Sequence, residues 1–265
     1  DYELQKQGPE GSHVQDSLRV LDEALAPVVE AASETGTRLV LVSEYGIRPV
    51  SRSLALNRVL RRAGYLRVRP GPFGEILDVP ETPAVAVADH QLAHITVRDR
   101  NDLQPIRDLV DAQPEVERTW ALDERAEVGL DHPRAGEIVA LAAPDAWFSY
   151  EYWLDRSDAP DFAPTVDIHR KPGFDPLEMF VDPAFRAPTL HAARRLIQKR
   201  LGFRTRLDLV AVDRPELIRG SHGRIDGDPA DGPVWLTNDA TLAARPPSRM
   251  TDVFDWLLTA LDEPC

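Results

Sequence analysis

A chain of 265 residues with 43% hydrophobic residues suits one large domain, or a domain with a smaller insertion, and is too apolar to stay disordered. Lys and Arg total 31 against 44 Asp and Glu, a net charge of −13 that repels polyphosphate backbones and argues against broad nucleic-acid binding. The longest branched apolar run, residues 39–42, is far short of a membrane span, and the single cysteine, Cys265, permits no intrachain disulfide. No charged-then-apolar leader precedes that run, although the chain opens on Asp1 rather than Met. The expected compartment is therefore a reducing cytoplasm, with no membrane partner.

Val14, Leu18, Leu21, Leu25, Val28 and Ala32 recur at spacings of three and four, which predicts an amphipathic helix bent at Pro27 and ended by Gly36. Residues 38–42 then predict a strand buried on both faces. Ser43-Glu44-Tyr45-Gly46 would sit at its carboxyl end, where open α/β sheets bind ligands. Leu56, Val59, Leu60 and Ala63 predict a second helix capped by Gly64. A hairpin is expected from 66–69 and 75–79 around Pro70-Gly71-Pro72-Phe73-Gly74, followed by strands at 84–88 and 95–98. A helix from Asn101 or Asp102 to about Gln113 and a strand at 116–122 complete a crowd of short elements.

Those elements suggest a small α+β insertion, residues 65–135, within a core of residues 1–64 and 136–265. Residues 137–141 again predict a strand. Residues 144–189, rich in Pro, Asp and aromatics, predict a long ordered loop with one short helix at 176–180. Leu190, Ala193, Ile197 and Leu201 mark a helix closed by Gly202, strands are expected at 207–212 and 234–237, and Val253, Phe254, Leu257, Leu258 and Leu261 form a terminal amphipathic helix. The expected architecture is α/β, a mainly parallel sheet sandwiched between helices, with the small α+β insertion.

Three short segments carry candidate chemistry: Asp1-Tyr2-Glu3-Leu4-Gln5-Lys6-Gln7-Gly8-Pro9, Ser43-Glu44-Tyr45-Gly46, and Arg219-Gly220-Ser221-His222-Gly223. In order and spacing they resemble the type I phosphodiesterase/nucleotide pyrophosphatase branch of the alkaline phosphatase superfamily. In that family the first segment holds a metal-binding Asp and, four residues later, a His; here Asp1 matches and Gln5 replaces the His. The second is Ser-Asp-His-Gly in the family, so Glu44 keeps a carboxylate on a longer arm and Tyr45 replaces an imidazole. The third matches without substitution at His222.

The resemblance implies a metal-dependent hydrolase of phosphate esters, acting on a small phosphate-ester or nucleotide substrate with two divalent metal ions (Zn, Mn or Mg). Asp1, Glu44 and His222 are the implied metal ligands. The loss of two imidazoles leaves an oxygen-rich set that favours Mn²⁺ or Mg²⁺. The family's nucleophile, a Thr or Ser at a helix start, matches no segment here, so the half that bears it is expected to lie outside this chain.

Asp167, His169, Arg170 and Lys171 form a further candidate cluster: His169 as a replacement ligand, Arg170 and Lys171 with Tyr45 as substrate contacts. His90 and His94 beside Asp89 could form a metal pair or serve the backbone, and His132 is read as a turn residue. Trp147, Phe148, Tyr150, Tyr152 and Trp153 could stack on a base or pack a loop on the sheet. Two rival functions stay open: a non-catalytic ligand-binding or scaffold relative, motivated by Gln5 and Tyr45, and a sulfate-ester or phosphonate hydrolase on the same fold. The oligomeric state is open.

Overall fold

The structure, a computed structural model, describes residues 1–167, 169–224 and 229–262; Cys265 lies outside the described residues. A short first helix, α1 (Tyr2–Gln7), buries Gln5 and stops at Gly8. Helix α2 (Val14–Thr35) follows the predicted stripe and ends where Gly36 turns left-handed at φ 66°. Its apolar face is largely uncovered among the described residues: Val14 and Ala32 are buried, whereas Leu18, Leu21 and Val28 are about half exposed. Strand β1 (Val40–Val42) is partly exposed rather than covered on both faces. Two short strands, β2 (Arg48–Pro49) and β3 (Arg52–Ala55), lead into α3 (Leu56–Arg62), which buries Leu56, Val59 and Leu60. The expected hairpin forms from β4 (Val68–Gly71) and β5 (Gly74–Leu77).

The centre of the molecule is built next. Strands β6 (Ala84–Asp89) and β7 (Leu92–Val97) form a tight hairpin, α4 (Leu103–Asp111) follows, and β8 (Val116–Ala121) and β9 (Ile138–Ala142) complete a four-stranded sheet in the order β6-β7-β9-β8. Every residue of β9 is buried. Alternation divides its side chains: Ile138, Ala140 and Ala142 join the main core with Leu56, Ile95 and Ile106, while Val139 and Leu141 meet Trp120 on the other face. The sheet therefore joins strands from both sides of residue 135.

Strand β10 (Ala146–Ser149) lies inside the stretch expected to be loop and pairs parallel with β3. Trp147, Phe148, Tyr150, Tyr152 and Trp153 are all buried, so this aromatic run packs the interior rather than offering a stacking platform. Helix α5 (Pro188–Arg200) buries no residue. The two-residue strand β11 (Gly220–Ser221) pairs with β2, and β12 (Trp235–Thr237) pairs with β1, both antiparallel. A short α6 (Ala240–Ala243) and α7 (Val253–Asp262) close the described chain.

The predicted mainly parallel sheet is thus replaced, among the described residues, by an antiparallel four-stranded sheet and four two-stranded pairs. Only β3 with β10 runs parallel. Connection length accounts for part of this: short turns join β4 to β5 and β6 to β7, and the long excursion between β3 and β10 gives the crossover a parallel pair needs, whereas β1–β12 and β2–β11 pair antiparallel across most of the chain. The strand expected at 207–212 contributes a single bridge, Val210 to Val181. Among the described residues no helix is long and apolar enough to cross a membrane.

Candidate functional site

Gly220 decides how the first and third sequence segments meet. A Cβ at this position would stand 2.2 Å from the Leu4 carbonyl oxygen, so only glycine lets α1 close on β11. The Arg219 N–H then donates to the Gln5 carbonyl at 2.7 Å. The β2–β11 pairing, with Arg48 opposite Ser221, draws the 43–46 turn to the same place. Asp1, Tyr45 and His222 converge there: the Tyr45 hydroxyl donates to the Asp1 carboxylate at 3.0 Å, and its ring stacks on His222 at 3.6 Å with planes 10° apart.

A second imidazole enters from the β6–β7 hairpin. Its two-residue turn is His90-Gln91, and His90 takes a left-handed φ of 54°, unusual for a side chain of this size. Neighbours hold the turn: Gln91 N–H donates to the His222 carbonyl (2.9 Å), Phe148 N–H to the His90 carbonyl (2.7 Å), and the Gln91 amide to the Ala146 carbonyl (2.8 Å). The His90 ring lies 3.7 Å from that of His222 and 5.0 Å from Phe174, and its Nδ1 shares a 3.2 Å hydrogen bond with the fully buried Ser221 hydroxyl. Tyr45, His222, His90 and Phe174 thus form one column of rings.

Burial, and then the neighbouring His222, push His90 down to about 3, so it is neutral at physiological pH. Burial also lowers His222, against the opposing pull of the Asp89 and Glu44 carboxylates. Burial raises the Tyr45 hydroxyl, with Glu44 and Asp89 adding to it. The site is therefore a pair of neutral imidazoles and a protonated phenol beside the carboxylates Asp1, Glu44 and Asp89. An entering phosphate meets net negative charge unless cations accompany it.

The donor types suit a divalent cation, but their arrangement does not. Among the described residues no group of three or more His, Cys, Asp and Glu is placed to hold a metal ion. His222 lies between the stacked Tyr45 ring and the tilted His90 ring, Asp1 accepts from Tyr45, and Gln5 is buried with its Oε1 unpartnered.

Residues 1–175 match the family of type I phosphodiesterases/nucleotide pyrophosphatases. The chain belongs to that family. No curated protein matches it. Among solved structures it is similar to phosphonoacetate hydrolase from Sinorhizobium meliloti 1021 in complex with phosphonoformate, at 16% identity over 98% of this chain and 49% of that one, TM-score 0.51. This is a likeness of α/β fold. Murine ectonucleotide pyrophosphatase/phosphodiesterase 5 is 16% identical over 59% of this chain and 38% of its own, TM-score 0.41. The chain spans half or less of the length of these relatives.

Within this type I phosphodiesterase family member, the 167–175 segment meets the site differently from the sequence expectation. Gly173 bridges Ala88 and delivers Phe174, not His169, to the ring column; His169 is solvent-exposed. Lys171 is withdrawn altogether. Its ammonium is fully buried against Asp175 (3.1 Å), Glu178 (2.6 Å) and the Thr165 carbonyl (2.9 Å), so it is a structural cation rather than a substrate contact. Arg170 pairs with Asp167 at 3.3 Å and lines a separate cavity. Residues 169–172 are turns and bends, so the local chain does not aim the cluster at one site.

His90 and Phe174 were not among the sequence candidates for this site. The Asp89-His90 pair was visible, but His94 is not its partner: that imidazole accepts the Gly136 N–H at 3.3 Å, while His90 turns to Ser221 and His222. His132 accepts the Arg134 N–H at 3.1 Å within its own turn.

Proposed function

We propose that the protein is a phosphoric ester hydrolase that works on small phosphodiesters or nucleotides at the cluster of Asp1, Glu44, Tyr45, His90 and His222. The observation that carries this reading is the convergence of three segments, far apart in sequence, that resemble the family's motifs in order. The neutral imidazoles and the phenol suit hydrogen bonding to phosphate oxygens and the leaving oxygen, and His222 is the group expected to matter most. Charge balance calls for divalent cations with the substrate, Mn²⁺ or Mg²⁺ on the chemistry of an oxygen-rich set. Because the side chains as arranged do not coordinate an ion, the mechanism includes no step through one.

The test is turnover of bis(p-nitrophenyl) phosphate by the full-length protein, stripped of metal, alone and with Mn²⁺, Mg²⁺ or Zn²⁺. His222→Ala should lower turnover by about 10²-fold or more, the scale for one positioned catalytic group. A second reading, a non-catalytic relative that only binds ligands, is favoured by one observation: Tyr45 occupies both Asp1 and the face of His222. Saturable binding of AMP without turnover under any metal would establish it and overturn the first.

A further inference from the structure

A second cavity, sharing no residue with the ring column, lies under the β4–β5 hairpin. It encloses about 360 Å³, within the range of small-molecule pockets. Phe73, Leu77 and Phe162 form much of its wall, and Asp161, Arg170 and Arg204 are its charged lining. The Tyr152 hydroxyl, also on the wall, already donates to the Glu75 carbonyl at 3.3 Å, leaving the ring as apolar surface.

The rim carries one more cation than anion. Asp161 accepts from Arg204 (2.6 Å) and Arg206 (2.9 Å), and Asp167 pairs with Arg170 (3.3 Å) and more distantly with Arg206 (3.7 Å). Three guanidiniums thus face two carboxylates, in a chain whose net charge is −13. Arg206 is shared between both acids, while Arg170 and Arg204 are each about half exposed on the lining. The Arg204 guanidinium lies 3.8 Å over the Phe73 ring while its Nη2 donates to Asp161, which holds the group on the wall with further N–H groups to offer an oxyanion.

From the apolar wall, the volume and the surplus guanidinium charge, we infer that this cavity binds a small aromatic monocarboxylate, ring inward and carboxylate on Arg170 and Arg204. The inference does not rest on the phosphoester reading. Isothermal titration with 2-naphthoate should give saturable one-to-one binding, and neutral 2-naphthamide should bind at least tenfold more weakly. Arg170→Gln and Arg204→Gln, both at half-exposed positions, should each weaken 2-naphthoate by about tenfold. Leu77→Trp should fill the cavity and abolish binding; if that variant fails to fold, the two arginine variants decide. Absence of saturable binding, equal binding of the amide, or indifference to both arginine substitutions would overturn the inference.

Discussion

The Tyr45 hydroxyl donates to the Asp1 carboxylate at 3.0 Å, tying together positions from two segments that the family resemblance assigns to metal binding. A phenol in this place occupies a carboxylate oxygen that would otherwise be free to coordinate. The buried Gln5, with its Oε1 unpartnered, withholds a second imidazole.

Restoring both imidazoles should therefore restore metal affinity. The Gln5→His, Tyr45→His double variant is expected to bind Zn²⁺ at least tenfold more tightly than the parent, read by competition with a chromophoric chelator. Tyr45→His alone, at a more accessible position, should give part of the gain. Parent-like affinity in both variants would show that something other than these two side chains withholds the ion.

Gly173 makes a sharper mechanical demand. Its φ is 116°, and a Cβ there would lie 2.0 Å from the Ala88 carbonyl oxygen, a backbone atom that cannot swing aside. Gly173→Ala should cost about 2–4 kcal/mol in urea unfolding and loosen Phe174 from His90. Gly64→Ala is the control: φ is also positive, 86°, but nothing lies within 4 Å, so about 1 kcal/mol is expected. Equal losses at both positions would refute the close-approach argument.

Asp175 gives stability a pH dependence of stated sign. Burial pushes its carboxyl up to about 7 despite the adjacent Lys171, and the buried Glu151 adds to the rise. The folded chain therefore holds this proton more tightly than the unfolded one. The stability this confers is fully present below the ordinary carboxylate value of 3.8 and is lost as pH rises towards 7. Asp175→Asn cannot titrate, so its stability relative to the parent should improve steadily between pH 4.5 and 7.5. A constant difference across that range would show that Asp175 titrates normally.

Local periodicity made most of the helices and the strands of the central sheet legible, because Val14 to Ala32 and Leu56 to Ala63 repeat at helical spacing and β6 and β9 are largely apolar runs. Pairing was not legible, since a run of apolar residues does not name its partner or direction. Strand β3, Arg52–Ala55, mixes polar and apolar residues, and β10 is hidden in an aromatic stretch. Motif order led to the expectation of a shared site for Asp1, Glu44 and His222; that Tyr45 would be the residue touching both Asp1 and His222 was not legible. The place of His90 was not, because a His-Gln turn lacks the Asn-Gly or Asp-Gly signature of a tight hairpin. Lys171 looked like a phosphate contact because nothing local shows that Asp175 and Glu178 will fold back around it.

The ring column is assembled from four distant stretches of chain, and this separates it in time from the elements that support it. The Asp1–Tyr45 contact closes 44 residues, and the His90–Ser221 contact closes 131. By loop-closure entropy the longer closure costs about 1 kcal/mol more, and neither contact is rewarded until the β6–β7 hairpin has fixed His90 in its turn. The column is therefore a late closure on the folding path. Substitutions within it should register chiefly in how fast the native chain opens, and hardly in how fast it forms.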